Sequence, residues 1–338
     1  MNDDHAIVVG INTYPGLSSL SGPCVDAQGF TDWLQASDGG AVPETNIHTV
    51  LTTQFHPPGP SDVNDVHPVE ADVNNLFKPL VTQGMMQGRV GRRLYIYLAG
   101  HGFSDPADME SAALYAADAE FTFAPHVAGT AYANWFRRNG VFDEIVLIMD
   151  CCRTTTPMQS IRPPPLQNTG NPSMAARVKI FYAYGTSWGA VARERPLNGS
   201  VRGIFTTALL KAIENARPNK KGKVTGQILK DHIHNIFGEL AAGMETAPPD
   251  IRVDSNRDIA FLERIDAPDL NVCVTLVPHT GDEELLVSDG VGAKVEQLAC
   301  PHNPVSLGLE TGLYKVQVIG TDRSELIEVV GNDVEITI

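Results

Sequence analysis

Residues 94–102 read Leu94-Tyr95-Ile96-Tyr97-Leu98-Ala99-Gly100-His101-Gly102, and residues 145–152 read Ile145-Val146-Leu147-Ile148-Met149-Asp150-Cys151-Cys152. Both begin as apolar runs, which are typical of strands buried on both faces of a parallel sheet. Both end in residues that carry reactive groups. Because ligands of open α/β sheets bind at the carboxyl ends of the strands, His101 and Cys152 are predicted to lie at the same edge of the sheet.

Further strand-like and helix-like segments alternate around these two runs. Apolar runs predict strands at 6–11, 47–51 and 178–184, and helical spacing or composition predicts helices at 24–35, 69–84, 131–138, 204–215 and 225–237. This alternation predicts an α/β fold with a mostly parallel sheet and helices on both faces.

The pattern changes near Asp266-Ala267-Pro268-Asp269. Beyond this point the chain contains short alternating runs, punctuated by Gly and Pro, with no helical period. Such runs are typical of antiparallel strands, so we expect a small C-terminal β-sandwich. The predicted domains are therefore residues 1–265 and residues 268–338.

The overall composition is that of a globular protein. Hydrophobic residues make up 43% of the 338 residues, charged residues make up 19%, and the formal net charge is -15. Phosphate backbones are bound by clustered Lys and Arg, so nucleic acid is not an expected partner. The acidity favours solubility or, as an alternative, attraction of basic polypeptides.

The sequence predicts a cytoplasmic protein. The first residues are acidic where a secretory leader would be basic, and no stretch approaches the roughly 18 apolar residues that span a bilayer, so no membrane partner is expected. The five cysteines are an odd number and two are adjacent, which fits a reducing compartment better than a disulfide framework.

Cys152 is the candidate nucleophile. A cysteine attacks as its thiolate, so it needs a nearby base and partial exposure. Side chains alternate faces along a strand, so Asp150 and Cys152 share one face and Cys151 points to the other, as a small apolar core residue. A single cysteine after a strand is more often a core residue, and it is the second motif that favours catalysis.

His101 is the candidate general base. Its glycine neighbours leave the imidazole uncrowded and allow a substrate backbone to approach closely. Its ordinary pKa near neutrality suits it to accept the proton of a thiol. The amides of Gly102 and Cys152 are the candidate oxyanion hole for a tetrahedral intermediate.

An apolar block followed by His-Gly, and a second followed by Asp-x-Cys, resemble the caspase-fold cysteine peptidases, and metacaspases in particular. Residues 8–14 look like the first strand and turn of that family. Residues 20–27 are similar to its Gly-Cys-x-x-Asp-Ala stretch, with one residue fewer between Cys and Asp, and residues 203–210 resemble a late helix. The resemblance covers roughly residues 5–265.

The resemblance implies a thiol protease with a dyad of His101 and Cys152. Metacaspases bind Arg or Lys at P1 through acidic residues, which here correspond to Asp26 and Asp150. Caspases that cut after Asp have Gln at the position of Asp150, and a carboxylate pair matches a guanidinium and repels an aspartate. The expected partners are therefore peptides or proteins with a basic P1 residue. The sequence departs from metacaspases after Cys152, where Arg153 and two threonines follow.

Two other functions remain open at this point. One is a catalytically silent caspase-like scaffold that binds partners, and the other is an Asp-specific protease. The intact His101 and Cys152 disfavour the first, and Asp150 disfavours the second. Prokaryotic relatives suggest regulated cell death or antiviral defence as the setting, by analogy alone.

No metal or cofactor is expected. The Gly10 region lacks the further glycines of a dinucleotide site. Calcium is an option because some metacaspases bind it, and the acidic candidates are Asp105, Asp108, Asp118 and Asp143. These residues have no ordered ligand spacing, so the sequence favours a solvated surface.

The segment 153–177 contains three consecutive prolines and no periodic pattern. Enzymes of the resembled kind often mature by a cut in this linker, and such segments are open to proteolysis. A zymogen is therefore expected, controlled by an activating protease or regulator. Arg162 is followed by Pro and is a poor site for self-cleavage, whereas the bond between Arg177 and Val178 is better.

Overall fold

The computed structural model describes residues 3–55, 62–155, 159–167, 170, 172–197, 199–216, 218–219, 222–254, 257–263, 272–278, 282–299, 301–302, 304–309, 312–329 and 334–338. The helices are α1 (Pro23–Gln35), α2 (Thr52–Phe55), α3 (Glu70–Gln87), α4 (Gly129–Asn139), α5 (Pro172–Ala175), α6 (Ile204–Asn215) and α7 (Gly226–Leu240), with a short 3₁₀ helix at Glu44–Asn46.

The strands up to residue 263 are β1 (His5–Gly10), β2 (Ile47–Leu51), β3 (Gly91–Ala99), β4 (Gly102–Asp105), β5 (Asp108–Tyr115), β6 (His126–Val127), β7 (Phe142–Asp150), β8 (Lys179–Tyr184), β9 (Glu194–Leu197), β10 (Ser200–Gly203), β11 (Lys223–Thr225), β12 (Asp250–Val253) and β13 (Ala260–Glu263). The strands that follow are β14 (Val272–Val277), β15 (Leu285–Asp289), β16 (Lys294–Leu298), β17 (Val305–Leu309), β18 (Gly312–Val318), β19 (Ser324–Val329) and β20 (Val334–Thr337).

The chain divides into two compact units, Met1–Leu210 with Gly243–Ile259, and Lys211–Ala242 with Ala260–Ile338. The boundary predicted at residues 266–269 lies outside the described residues, so the two predicted domains stay a prediction.

The first unit is built on a six-stranded sheet of order β12-β8-β7-β3-β1-β2. All its pairs are parallel except that of β12 with β8. The sheet carries helices on both faces, as predicted. Ile96 of β3 belongs to a core with Phe77 of α3 and Phe136 of α4, whereas the neighbouring Tyr97 stacks on Phe30 of α1 at a centroid distance of 4.9 Å.

The register of the central strands fixes the edge at which the site forms. Gly10 of β1 pairs with Ala99 of β3, and Ala99 pairs in turn with Asp150 of β7. The three strands therefore end side by side. The chain segments that carry His101 and Cys152 leave the sheet at this common edge.

Short antiparallel strands that the sequence analysis did not predict surround this edge. The strands β4, β5 and β6 form one sheet directly after His101, and β9 pairs with β10 in a hairpin. None of these strands shows a regular alternation of apolar and polar residues that would indicate it in the sequence.

In the second unit, two sheets of order β17-β14-β20 and β16-β15-β18-β19 share one apolar core. This confirms the predicted C-terminal β-sandwich. The pairing is antiparallel except between β14 and β20, which are parallel. No helix in the described parts of the chain combines the length and the apolar character needed to cross a membrane.

Candidate active site

A cleft of about 300 Å³ opens at the carboxyl ends of β1, β3 and β7. Its lining includes four residues predicted from the sequence, namely Asp26, His101, Asp150 and Cys152. The remaining lining residues are Ser18, Leu20, Pro23, Ala99, Gly100, Val191, Ala192, Arg193, Glu194 and Gly203. The candidate base, the candidate nucleophile and both candidate binding carboxylates therefore face one space.

His101 follows β3 through Gly100, whose φ is +151°. A side chain at Gly100 would collide with the hydroxyl of Tyr14, so this glycine is required for the turn. The amide of His101 donates a hydrogen bond to the Tyr14 hydroxyl at 3.0 Å, and the two rings lie 4.8 Å apart. Tyr14 thereby fixes both the backbone and the ring of His101.

The imidazole of His101 has a defined protonation pattern. Its Nε2 lies 2.6 Å from the carbonyl oxygen of Ser18. Because a carbonyl only accepts hydrogen bonds, Nε2 carries the proton, and in the neutral ring Nδ1 is the nitrogen with a free lone pair. The arrangement leaves His101 able to accept a proton at Nδ1.

Cys152 is partly exposed, and its thiol lies 3.8 Å from the carbonyl oxygen of Ala192. Burial raises the pKa of the Cys152 thiol above its usual range, the negative charge of Asp150 raises it further, and Arg193 opposes the rise. The hydrogen bonds of Cys152 and His101 go to backbone carbonyls and do not join the two side chains. A thiol with a raised pKa needs a base that removes its proton during attack.

The structure separates the two adjacent cysteines. Cys151 is 1% exposed and belongs to the core between the sheet and its helices. Burial raises the pKa of both thiols. Cys151 therefore lies in the core, and Cys152 faces the cleft with Asp150.

Gly102 begins β4 and pairs with Leu114 of β5. A side chain at this position would come within 2.5 Å of the Cys151 sulfur and 2.6 Å of the Ala113 carbonyl oxygen. Glycine is therefore needed for close packing of the β4–β5 hairpin against the end of β7. The role of the Gly102 amide in an oxyanion hole stays a prediction.

Asp26 and Asp150 form an acidic wall of the cleft. Oδ2 of Asp26 accepts a hydrogen bond from the Gly203 amide at 2.7 Å, and Oδ1 is buried with no partner within the described part of the chain. Asp150 accepts hydrogen bonds from the amide and the hydroxyl of Thr206, at 3.1 and 2.6 Å. The two carboxylates approach Gly203 so closely that any side chain there would collide with Asp150.

The electrostatics of this wall are unbalanced. Burial and then the charge of Asp150 raise the pKa of Asp26 to about 8. Burial raises the pKa of Asp150 to about 6 against the two hydrogen bonds from Thr206. Both carboxyls therefore lack a cationic partner strong enough to restore their ordinary acidity.

Glu194 is a third carboxylate of the cleft, and sequence reasoning does not single it out. It accepts hydrogen bonds from the amides of Ser21 and Gly22, at 3.1 and 2.9 Å, and its charge raises the pKa of both aspartates. Its neighbours in the sequence are arginines, which predict a solvated surface. Only the pairing of β9 with β10, which sets Glu194 opposite Gly203, brings it to the site.

The acidic residues considered for calcium do not form one cluster. Asp105 and Asp108 flank the β4–β5 turn, and their carboxylates accept hydrogen bonds from backbone amides. The Asp143 carboxylate forms an ion pair with the Arg89 guanidinium, with a nitrogen–oxygen distance of 2.7 Å. Oδ1 of Asp118 is buried, and burial raises the pKa of this carboxyl. Among the described residues, no three His, Cys, Asp or Glu side chains converge as metal ligands. A requirement for calcium stays untested.

The described part of the 153–177 segment forms hydrogen bonds with other residues of the first unit. Gln159 donates to the Tyr115 hydroxyl at 2.6 Å, the amide of Arg162 donates to His126 Nε2 at 2.9 Å, and the Gln167 carbonyl accepts from Trp135 Nε1 at 2.9 Å.

The bond predicted for self-cleavage lies near the far end of this segment. Arg177 is exposed, but Val178 is buried and β8 begins at Lys179. The bond after Arg177 therefore leads directly into the central sheet.

Comparison with known proteins places these residues in context. Residues 3–246 match the family model described as the caspase domain. A curated protein described as a probable protease, from a Desulfuromonadales bacterium, is 25% identical over 348 residues. That match covers 95% of this chain and 42% of the relative, so the chain spans less than half the length of the curated protein.

Two solved structures are similar to the chain. Caspase-1 from Spodoptera frugiperda is 12% identical, with a TM-score of 0.48, and the match covers 79% of this chain and 92% of that one. A protein from Geobacter sulfurreducens is 13% identical, with a TM-score of 0.44, and the match covers 77% of this chain and 97% of that one.

Proposed function

The chain belongs to the caspase domain family, and from this membership we propose that it is a cysteine endopeptidase that cleaves after Arg or Lys. One observation carries the proposal. Three carboxylates, Asp26, Asp150 and Glu194, line the same cleft as Cys152 and His101. The nucleophile and a binding site for a cation are thereby within reach of a single substrate.

Acylation begins with the neutral thiol. His101 Nδ1 accepts the proton of Cys152 as its sulfur attacks the scissile carbonyl carbon. The amides of Gly102 and Cys152 stabilise the resulting oxyanion. The intermediate collapses when the C–N bond breaks, and the proton held by His101 passes to the leaving amine.

Deacylation completes the cycle. The acyl group remains on Cys152 as a thioester. A water molecule loses a proton to His101 and attacks the thioester carbonyl carbon, and the C–S bond then breaks. The peptide acid leaves, and the thiol regains its proton from His101.

The charge of the cleft selects the P1 residue. A guanidinium or ammonium supplies the positive charge that Asp26 and Asp150 lack, and it meets the unpartnered Oδ1 of Asp26. A charge-assisted hydrogen bond to such a buried oxygen is stronger than one between neutral groups. An aspartate at P1 would place a further negative charge beside Asp150 and Glu194, so the Asp-specific alternative is disfavoured.

A panel of fluorogenic peptides that differ only at P1 tests the proposal. Arg and Lys peptides should be hydrolysed, Asp and Leu peptides should not, and the Cys152→Ala variant should hydrolyse none. The silent-scaffold alternative predicts no hydrolysis of any peptide by a folded wild-type protein. Parallel assays with calcium chloride and with EDTA test the calcium option.

The position of Arg177 bears on how such an enzyme is activated. Binding of a peptide in a protease cleft needs several extended residues on both sides of the cut, and the residues after Arg177 enter β8. Arg162 precedes a proline, and Arg153 is fully buried. We therefore assign an activating cut in this segment to another protease that does not require a basic P1 residue.

Mass spectrometry of purified wild type and Cys152→Ala tests the assignment. The wild type should stay intact across 153–177 during incubation, while limited digestion by an added protease cuts the segment and raises activity. A time-dependent cut after Arg177 in the wild type alone would show self-activation. By analogy with prokaryotic relatives, we propose regulated cell death or antiviral defence as the setting.

A further inference from the structure

The residue that follows the nucleophile is the most completely buried charge beside the cleft. Arg153 is 0% exposed. A guanidinium cannot be neutralised at ordinary pH, so its full burial requires partners for its charge and its donors. Neither the motif of the nucleophile nor the proposed chemistry accounts for this residue.

The guanidinium of Arg153 is held by four separate elements. Nη1 pairs with Asp250 of β12 at 2.9 Å, Nε donates to the Ser104 hydroxyl of β4 at 3.3 Å, and Nη2 donates to the Met109 carbonyl of β5. The group also lies 4.2 Å above the ring of Tyr184 in β8, a cation–π arrangement. These contacts leave the side chain a single position.

The backbone of Arg153 transmits that position to the cleft. Its amide donates to the Ala190 carbonyl at 2.9 Å, and its carbonyl accepts from the Gly189 amide at 2.9 Å. Two residues further on, the Ala192 carbonyl accepts the hydrogen bond of the Cys152 thiol. The residue that carries this buried side chain is thus hydrogen-bonded to the same segment that contacts the Cys152 thiol.

We infer that Arg153 is a positioning residue, anchored by Asp250, that holds the Cys152 sulfur and residues 189–192 in the geometry needed for attack. The guanidinium touches no lining atom of the cleft and acts through its own backbone. The pKa of Asp250 is lowered, as expected of a carboxylate held between Arg153 and Arg252. The inference rests on the proposed function only through the identity of the nucleophile.

The test uses variants that change the anchor without removing the bulk of either side chain. Arg153→Lys keeps the positive charge and loses the planar guanidinium with its several donors. Asp250→Asn keeps the shape of the side chain and loses its negative charge. Arg252→Gln is the matched control, since Arg252 pairs with the same Asp250 oxygen at 3.0 Å and lies outside the cleft lining. Ser104→Ala removes only the 3.3 Å hydrogen bond that the Ser104 hydroxyl accepts from Arg153. It is the smallest of the four changes and is expected to disturb folding least.

Two readouts separate positioning from simple support of the fold. The first is the rate of Cys152 alkylation by iodoacetamide as a function of pH, on protein shown to be folded by circular dichroism. The second is kcat and KM for an Arg peptide. Because alkylation requires no substrate, it remains informative when peptide hydrolysis fails, and the two proposals can be rejected separately.

Arg153→Lys and Asp250→Asn should each lower kcat at least tenfold, with KM changed less than threefold, and shift the pH midpoint of alkylation. Arg252→Gln should stay within twofold of wild type in both readouts. Folded Arg153→Lys or Asp250→Asn protein with wild-type kcat and alkylation would overturn the inference. Where neither variant folds, Ser104→Ala decides: a lowered kcat with a shifted alkylation profile supports positioning, and wild-type values in both reject it.

Discussion

The two ends of the central sheet both bury charged residues, with opposite results. At the amino end, Arg93 of β3 is 2% exposed and donates two hydrogen bonds to Glu144 of β7, at 2.8 and 2.6 Å. Lys179 of β8 forms an ion pair with the same Glu144 at 3.0 Å. At the carboxyl end, the three carboxyl groups of Asp26, Asp150 and Glu194 line one cleft.

The titration behaviour of the two ends differs accordingly. Arg93 and Lys179 lower the pKa of Glu144 despite its burial. Burial and like charges raise the pKa of Asp26 and Asp150. Balanced buried charges are compatible with a purely structural role, whereas an unbalanced buried set lowers stability and indicates a binding or catalytic site. The comparison predicts that variants at one end affect stability and variants at the other end affect activity.

The largest expected effect is on activity at the carboxyl end. Cys152→Ala and His101→Ala should each lower kcat/KM by more than about 1,000-fold, because the proposed mechanism uses both side chains directly. Their unfolding free energies should stay close to wild type. Cys151→Ala is the adjacent control, and it should keep most of its activity because Cys151 lies in the core. An inactive Cys151→Ala with an active Cys152→Ala would reverse the assignment of the two cysteines.

The next effect is on stability at the amino end. Glu144→Ala leaves Arg93 buried without its carboxylate and should lower the unfolding free energy by about 3 kcal/mol. The ratio of Arg to Asp cleavage should not change. Urea denaturation and the peptide panel measure the two quantities on the same protein. Lys179→Ala, which removes a more exposed partner of Glu144, should lower stability by only about 0.5 kcal/mol.

A smaller effect is expected on specificity. Asp150→Ala should lower kcat/KM for Arg peptides by more than about tenfold, which corresponds to about 1.4 kcal/mol of transition-state binding. Asp143→Ala is the matched control, since Asp143 lies near the other end of the same strand and pairs with Arg89. Equal losses in the two variants, or an Asp150→Ala protein that prefers Arg as strongly as wild type, would contradict the comparison.

The last effect concerns stability as a function of pH. Asp26 has a folded-state pKa of about 8, above its ordinary value of 3.8, so the folded chain binds an additional proton between these values. Stability from this group therefore falls as pH rises from about 4 to about 8 and is constant above that. Glu144, whose pKa is lowered, has the opposite sign, and its contribution is lost as pH falls below its usual range.

Asp26→Asn isolates the first of these effects, because the amide oxygen can still accept the Gly203 hydrogen bond. The variant should gain stability relative to wild type as pH rises from about 4 to about 8, by up to about 5 kcal/mol, and should have no such advantage near pH 4. Urea denaturation at the two values of pH provides the measurement. A stability difference independent of pH would show that Asp26 is ionised at pH 4 as well.

The comparison also explains what the sequence could predict. The apolar runs of β3 and β7 specify buried parallel strands. The alternation of side chains along a strand places Cys151 and Cys152 on opposite faces. Both features depend only on neighbours in the chain. The fold, the common position of His101 and Cys152 and the facing of Asp26 and Asp150 toward one cleft all follow from such local patterns and from the family resemblance.

Glu194 and Arg153 could not be found in this way. Glu194 reaches the cleft through a two-stranded hairpin whose residues show no apolar alternation. Arg153 appears in the sequence only as a departure from the metacaspase pattern, and its partner Asp250 is 97 residues away. Contacts of this kind depend on tertiary packing, which no local period reveals.

The raised pKa of Asp26 has a consequence for the thermodynamics of ligand binding. At neutral pH the Asp26 carboxyl is protonated, and a guanidinium that binds beside it would expel this proton into the solvent. Calorimetric heats for a substrate-like inhibitor with Arg at P1 should then vary with the ionisation enthalpy of the buffer. The same inhibitor with an uncharged isostere should release no proton.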